Sequence, residues 1–117
     1  MSALENELQE IEVTIEELKK AVELRDTVLR LHNNKDFQKI VEEGYFVQEA
    51  SRILLLKGDP NLPADKAAFL EMDGYGPGAF KRYLYTAVQM GNQAEDQIQQ
   101  EMATMDEINQ AIAEGEE

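Results

Sequence analysis

The 117 residues include no cysteine and no tryptophan, and 24 acids against 11 bases leave a net charge of −13. A chain of this length makes one domain, or one small domain with a helical extension, and the absence of cysteine excludes disulfides and thiolate metal sites. The longest aliphatic run, Ile53–Leu56, falls far short of the roughly 18 residues a membrane span needs, so no membrane partner is expected. The opening "MSALENELQE" has neither the basic nor the apolar region of a signal peptide, and none is expected there.

In residues 1–34, Leu4, Leu8, Ile11, Ile15, Leu18 and Val22 follow a 4-3-4-3-4 spacing. That is the a/d seam of a coiled coil, and it predicts a long helix whose seam drives association. Ser2 with Glu5 fits a capping box, and Glu16–Lys20 and Asp26–Arg30 are favourably ordered i,i+4 pairs. Beyond Val22 the strict seam falls on Arg25, Leu29 and His32, while Leu24, Val28 and Leu31 add apolar positions off it. The stripe is expected to widen there as the helix enters a core. "HNNKD" stops the helix, with Asn33 or Asn34 available to cap the next one.

Residues 35–78 read as a compact helical middle. Phe37, Ile40, Val41, Phe46, Val47, Ala50, Ile53 and Leu54 recur at helical spacing, with Gly44 as a bend. Gly58 suits the left-handed residue past a helix end, and Pro63 a first-turn proline of a short helix ending at Gly74. The stretch "DGYGPGAFKRYL" then predicts an elbow, with Gly74, Gly76, Pro77 and Gly78 as a hinge and Ala79 starting the last helix. A phosphate cradle is the rival reading, with Lys81 or Arg82 in the first turn of that helix. It is disfavoured because GxGxG is not GxGxxG and no strand precedes it.

Residues 79–117 form an acidic helix with a fraying "AEGEE" tail. Phe80, Leu84, Ala87, Met90 and Ala94 make one apolar stripe, which Ile98, Met102, Met105 and Ile112 continue after a one-residue shift resembling a stutter. Ile98, Met102 and Met105 join the N-terminal seam as candidate oligomer or partner contacts. Charge is unevenly spread: −4 over residues 1–34, −1 over 35–82 and −8 over 83–117. The last third would repel a phosphate backbone and suits a basic protein surface, so no direct nucleic-acid partner is expected.

No constellation for catalysis stands out. His32 is the only histidine, with Asp36 its obvious carboxylate neighbour in sequence. The pairs Glu16/Glu17, Glu42/Glu43 and Asp106/Glu107 are consecutive, so on a helix they point about 100° apart and share no proton or metal. No calcium loop or nucleophile elbow is present. The aromatics Tyr45, Phe46, Phe69, Tyr75, Phe80, Tyr83 and Tyr85 suggest a core under the elbow, with tyrosines at its rim as partner anchors. The expected fold is all-α, with long terminal helices forming a coiled-coil-like hairpin or bundle around the short middle. No enzyme activity, cofactor or metal is expected.

The segments "LRLHNNKDFQKIVEEGYFVQEASRILLLKGDPNL" and "FKRYLYTAVQMGNQAEDQI" resemble small helical proteins encoded among the structural genes of tailed bacteriophages. The matching positions are Asp36, Phe37, Ile40, Gly44, Tyr45, Phe46, Glu49, Ala50 and Arg52, then Tyr83, Leu84, Gly91, Ala94 and Glu95. The dense Gly-Pro cluster departs from that pattern, which runs through the region as ordinary helix. The resemblance implies a virion or virion-assembly component, found in the virion and in the host cytoplasm during assembly, and carries over no catalytic residue. The expected function is a homo-oligomeric structural protein that contacts other phage structural proteins at a capsid, connector or internal position. Two alternatives are an assembly scaffold or chaperone absent from the mature particle, and an acidic DNA mimic that inhibits a DNA-handling protein.

Overall fold

A computed structural model of the chain describes residues 2–115. Every regular element among them is helical: α1 (Ala3–His32), α2 (Lys35–Phe37), a π-helix (Gln38–Glu49), α3 (Ala50–Lys57) and α4 (Ala64–Ala113). They divide into two compact units. A hairpin unit pairs Met1–Thr27 with Ala87–Glu117, and a central unit comprises Val28–Thr86.

In the hairpin unit the two long helices pack against each other along matched stripes. Leu4, Leu8, Ile11, Ile15, Leu18, Val22 and Arg25 of α1 are all buried or half-buried. The seam read from the sequence therefore faces this chain's own second helix. On α4 the inward stripe is Ala87, Gly91, Ala94, Ile98, Glu101, Met105, Ile108 and Ile112, an unbroken 4-3 repeat. Two of the predicted positions are corrected. Met90 and Met102 are exposed, and there is no stutter. Gly91 and Glu101 hold those seam places, and a reading that tracks apolar side chains steps over both. Two helices alone cannot enclose a seam, so few of its residues are buried: Ile15 and Arg25 of α1, and Ala87, Gly91, Ala94 and Ile108 of α4.

Local chemistry sets the ends. The Glu5 N–H donates to Ser2 Oγ at 3.2 Å, starting α1. Glu16 pairs with Lys19 and Glu17 with Lys20, so the exposed pairs of this turn run i,i+3 where Glu16–Lys20 was expected. Asn34 caps α2, accepting from the Phe37 N–H at 2.9 Å. At the far end Gly115 takes φ 81° and donates to the Ile112 carbonyl at 3.0 Å, a left-handed stop for α4. The expected fraying of "AEGEE" falls partly on Glu116 and Glu117, outside the described residues.

In the central unit the π-helix is the departure that the sequence reading did not anticipate. Twelve residues is long for a form usually seen as a single bulge. Its inward positions explain it. Phe37, Val41, Phe46 and Ala50 are half-buried at spacings of 4, 5 and 4, which suits hydrogen bonds running i→i+5. Gly44 permits the coil: a Cβ there would lie 3.0 Å from the Lys39 carbonyl oxygen. Gly44 is thus a close-approach residue where a bend was expected. Ile40, Val47 and Leu54 point outward, and Ile53 of α3 is the buried residue of this segment, 3% exposed.

The predicted elbow is not a turn. α4 continues through Gly74, Gly76, Pro77 and Gly78 without interruption, so the expected start of a last helix at Ala79 falls inside it. A proline in a helix interior costs about 3 kcal/mol and each glycine about 1 relative to alanine. Tertiary packing opposes that cost: Pro77 is buried, Gly74 lies against Ile53, and Gly76 lies beneath the Tyr45 hydroxyl. Gly58 is also corrected. It ends α3 at φ −80°, ψ −5°, with its N–H donating to the Leu55 carbonyl at 3.2 Å, and it never enters the left-handed region. The widening at Leu24, Val28 and Leu31 buries no broad face, since only Val28 is half-buried.

Candidate interaction surface

Each unit holds one organised side-chain cluster. In the hairpin unit it is centred on Arg25, the one charged residue buried among those described. Its Nη1 donates to Glu95 Oε2 at 2.6 Å and to Asn92 Oδ1 at 3.1 Å, and its Nε to Asp26 Oδ1 at 3.0 Å. The Glu95 hydrogen bond, reinforced by Asp26, raises the guanidinium above its already high ordinary value. Arg25 stays charged at every accessible pH. Its aliphatic stem lies directly over Gly91, where any Cβ would overlap the Arg25 Cβ and come within 2.9 Å of Cγ and Cδ. A buried charge in a largely apolar seam sets register, because a slipped pairing would bury it unpaired. Arg25, Gly91 and Glu95 therefore act as a structural latch between α1 and α4.

In the central unit the cluster is aromatic. Tyr45 and Phe80 meet edge-on with centroids 6.4 Å apart, and Phe46 lies 5.6 Å from Phe80 and 6.1 Å from Tyr45. Three open grooves run between α4 and the elements facing it. One of about 510 Å³ is lined by Ile40, Val41, Tyr45 and Phe80. A second of about 440 Å³ lies among Leu56, Leu62, Phe69 and Leu70, and a third of about 230 Å³ around Ile53, Leu54 and Tyr75. Ion pairs hold the walls. Lys57 Nζ lies 2.5 Å from Glu71 Oε2, which keeps the Glu71 carboxyl below its ordinary value of 4.5. Arg52 does the same to Glu49 through a paired hydrogen bond.

Much of this unit's apolar surface is open. Phe69, Met72, Tyr75, Tyr83 and Tyr85 of α4 are exposed, as are Ile40, Val47, Leu54 and Leu55. The core expected under the elbow is thus smaller than the aromatic count implied. Half-buried Tyr45 and Phe46 form it with Phe80, itself 40% exposed, while Phe69 and three tyrosines stand outside.

The other candidate residues are placed as follows. His32 Nδ1 lies 2.8 Å from Glu42 Oε1, so its partner comes from the π-helix and is not Asp36. The phosphate cradle has no basis: Lys81 and Arg82 are exposed in mid-helix, and no helix N-terminus lies at Ala79. Among the described residues no group of three or more His, Asp or Glu side chains is arranged to hold a metal ion, and no helix is long and apolar enough to cross a membrane. No protein-family model, curated protein or solved structure matches the chain.

Proposed function

We propose that this chain is a non-enzymatic structural protein that works by docking helices onto other proteins, with the central unit as its contact surface. The observation that carries the reading is the imbalance between seams. The N-terminal seam is occupied by the chain's own α4, whereas α4 and its neighbours in the central unit leave aromatic and aliphatic side chains uncovered. The resemblance to small helical proteins of tailed bacteriophages supplies the setting: a virion component at a capsid, connector or internal position. The hairpin unit, with sixteen acids against three bases, is suited to a basic surface of such an assembly.

Mass spectrometry of purified particles tests the setting. Presence at a fixed copy number per virion is the expected result. Presence in assembly intermediates and absence from mature particles would replace the structural role with that of a scaffold or chaperone. Failure to associate with any phage structural protein would overturn both.

A further inference from the structure

We propose that the π-helix Gln38–Glu49 is a two-state element, which rewinds to α-helix when Phe80 leaves its place against Tyr45 and Phe46. The proposal concerns the central unit alone and goes beyond the docking reading. From Lys35 to Lys57 the chain is one continuous helical rod, α-wound at both ends and π-wound over the twelve residues between. So long a π-helix has no local advantage, since the form ordinarily survives for a single turn. Neither end carries a side-chain cap, and its residues are half-buried at most. What holds it is therefore contact with α4. The Phe80 ring centroid lies 6.4 Å from that of Tyr45 and 5.6 Å from that of Phe46, and Ile53 lies against Gly74.

Counting back from buried Ile53 shows what the winding decides. In α register the same face runs through Ala50, Phe46, Glu42 and Lys39, at spacings of 3, 4, 4 and 3. The π coil instead brings Val41 and Phe37 inward beside Phe46 and Ala50. With Phe80 seated, that exchange of charged side chains for apolar ones favours the π coil. With Phe80 displaced, the inward face loses its cover and the common α winding prevails.

The α state has an apolar stripe of its own. Ile40, Gly44, Val47, Ser51 and Leu54 follow a 4-3-4-3 spacing. Seven residues make about two turns of α-helix but only about one and a half of π-helix, so π winding holds Ile40 and Val47 on different faces. Ile40, Val47 and Leu54 are 69%, 59% and 70% exposed. Rewinding sets the three in line. The input of this device is the seating of one phenylalanine, and its output is the alignment of three aliphatic side chains.

Trans-hydrogen-bond couplings in the full, isotope-labelled chain read the winding directly. In the wild type the Tyr45 and Phe46 N–H groups should couple to the carbonyls five residues back, Ile40 and Val41. Phe80→Ala should move these couplings to the carbonyls four back, Val41 and Glu42. The α-wound fraction should rise at least about tenfold, the factor that loss of one aromatic pair corresponds to. Gly44→Ala leaves Phe80 in place, raises helix propensity and sets a Cβ against the Lys39 carbonyl oxygen of the π coil, so it should act in the same direction. Coupling is reciprocal, so Gly44→Ala should also weaken the Phe80–Tyr45 contact, read as lost Overhauser effects between the rings. Tyr83→Ala, at an exposed site on α4, should change neither readout. Five-back couplings that persist in either Phe80→Ala or Gly44→Ala would overturn the proposal, because the winding would then be intrinsic to the segment. Loss of both coupling patterns would overturn it too, since the segment would unfold where rewinding is expected. So would four-back couplings in the wild type, or a ring contact that Gly44→Ala leaves untouched.

Discussion

The hairpin unit and the central unit solve the same packing problem with opposite resources. The hairpin unit has long, regular helices, an acidic exterior and a seam nearly used up by internal pairing. Its specificity comes from one buried arginine over one glycine. The central unit is electrically balanced, contains short elements and a π-helix, and spends its few buried residues on bringing α4 against Tyr45, Phe46 and Ile53. Much of its apolar surface stays open. The contrast teaches that a repetitive seam satisfies itself within a chain, whereas an irregular packing leaves surface for others.

The largest effect that would test this contrast is expected from Ile53→Ala. Ile53 is 3% exposed, so truncation should cost about 3 kcal/mol. Amide hydrogen exchange should then rise mainly within Val28–Thr86. Equal loss of protection in both units would mean that they unfold as one and that the division is only geometric.

Next comes a pair of identical substitutions in one helix with opposite signs. Gly91→Ala forces a methyl group into the Arg25 stem and should destabilise by about 1–2 kcal/mol, overpacking outweighing the gain in helix propensity. Gly78→Ala meets nothing within 4 Å and should stabilise by about 1 kcal/mol. Thermal melts decide between them. If Gly78→Ala destabilises, a hinge at that position returns to consideration. Gly76→Ala lies between these cases, because the obstacle is the tip of the Tyr45 side chain. A near-zero change that becomes stabilising in a Tyr45→Phe background would identify the hydroxyl as the obstacle.

Smaller still is the response to acid. Glu49 and Glu71 are held below their ordinary value of 4.5 by Arg52 and Lys57. Their folded-state values are depressed, so their stabilisation is fully present above 4.5 and is lost as pH falls through the folded values. Both pairs are solvent-exposed, so the loss should be small, and Glu71→Gln should remove only part of it. The difference between melts of wild type and Glu71→Gln should shrink as pH falls below 4.5 through the folded value. A difference that grows on acidification would show that Glu71 acts by something other than its charge.

The parts of this molecule visible in the residues alone are those governed by neighbours in sequence. The α1 seam, the Ser2 and Asn34 caps, the stop after His32 and the all-helical class each depend on periodicity or on a side chain reaching its own backbone within one turn. Even Arg25 was legible as a polar residue on the seam, though not its partners. The α4 seam is partly legible: Ala87, Ala94, Ile98, Met105 and Ile112 are read correctly, Gly91 and Glu101 are passed over because seam places are assumed to be apolar, and Ile108 is missed because Met102, one turn-step away, takes the stripe out of register.

What tertiary structure decided is whatever pits local preference against distant burial. Helix propensity argues for a break at Gly74–Gly78, yet α4 passes through because burying Pro77 and bringing the backbone under Tyr45 and beside Ile53 require a continuous helix with no side chain in the way. The π-helix follows from the same cause, since only a wider coil puts Phe37, Val41, Phe46 and Ala50 on one face. "DGYGPGAFKRYL" therefore determined by itself that small residues line this part of the chain. That their smallness serves close packing and not a turn was settled by residues thirty positions away, through contact area that no local pattern encodes.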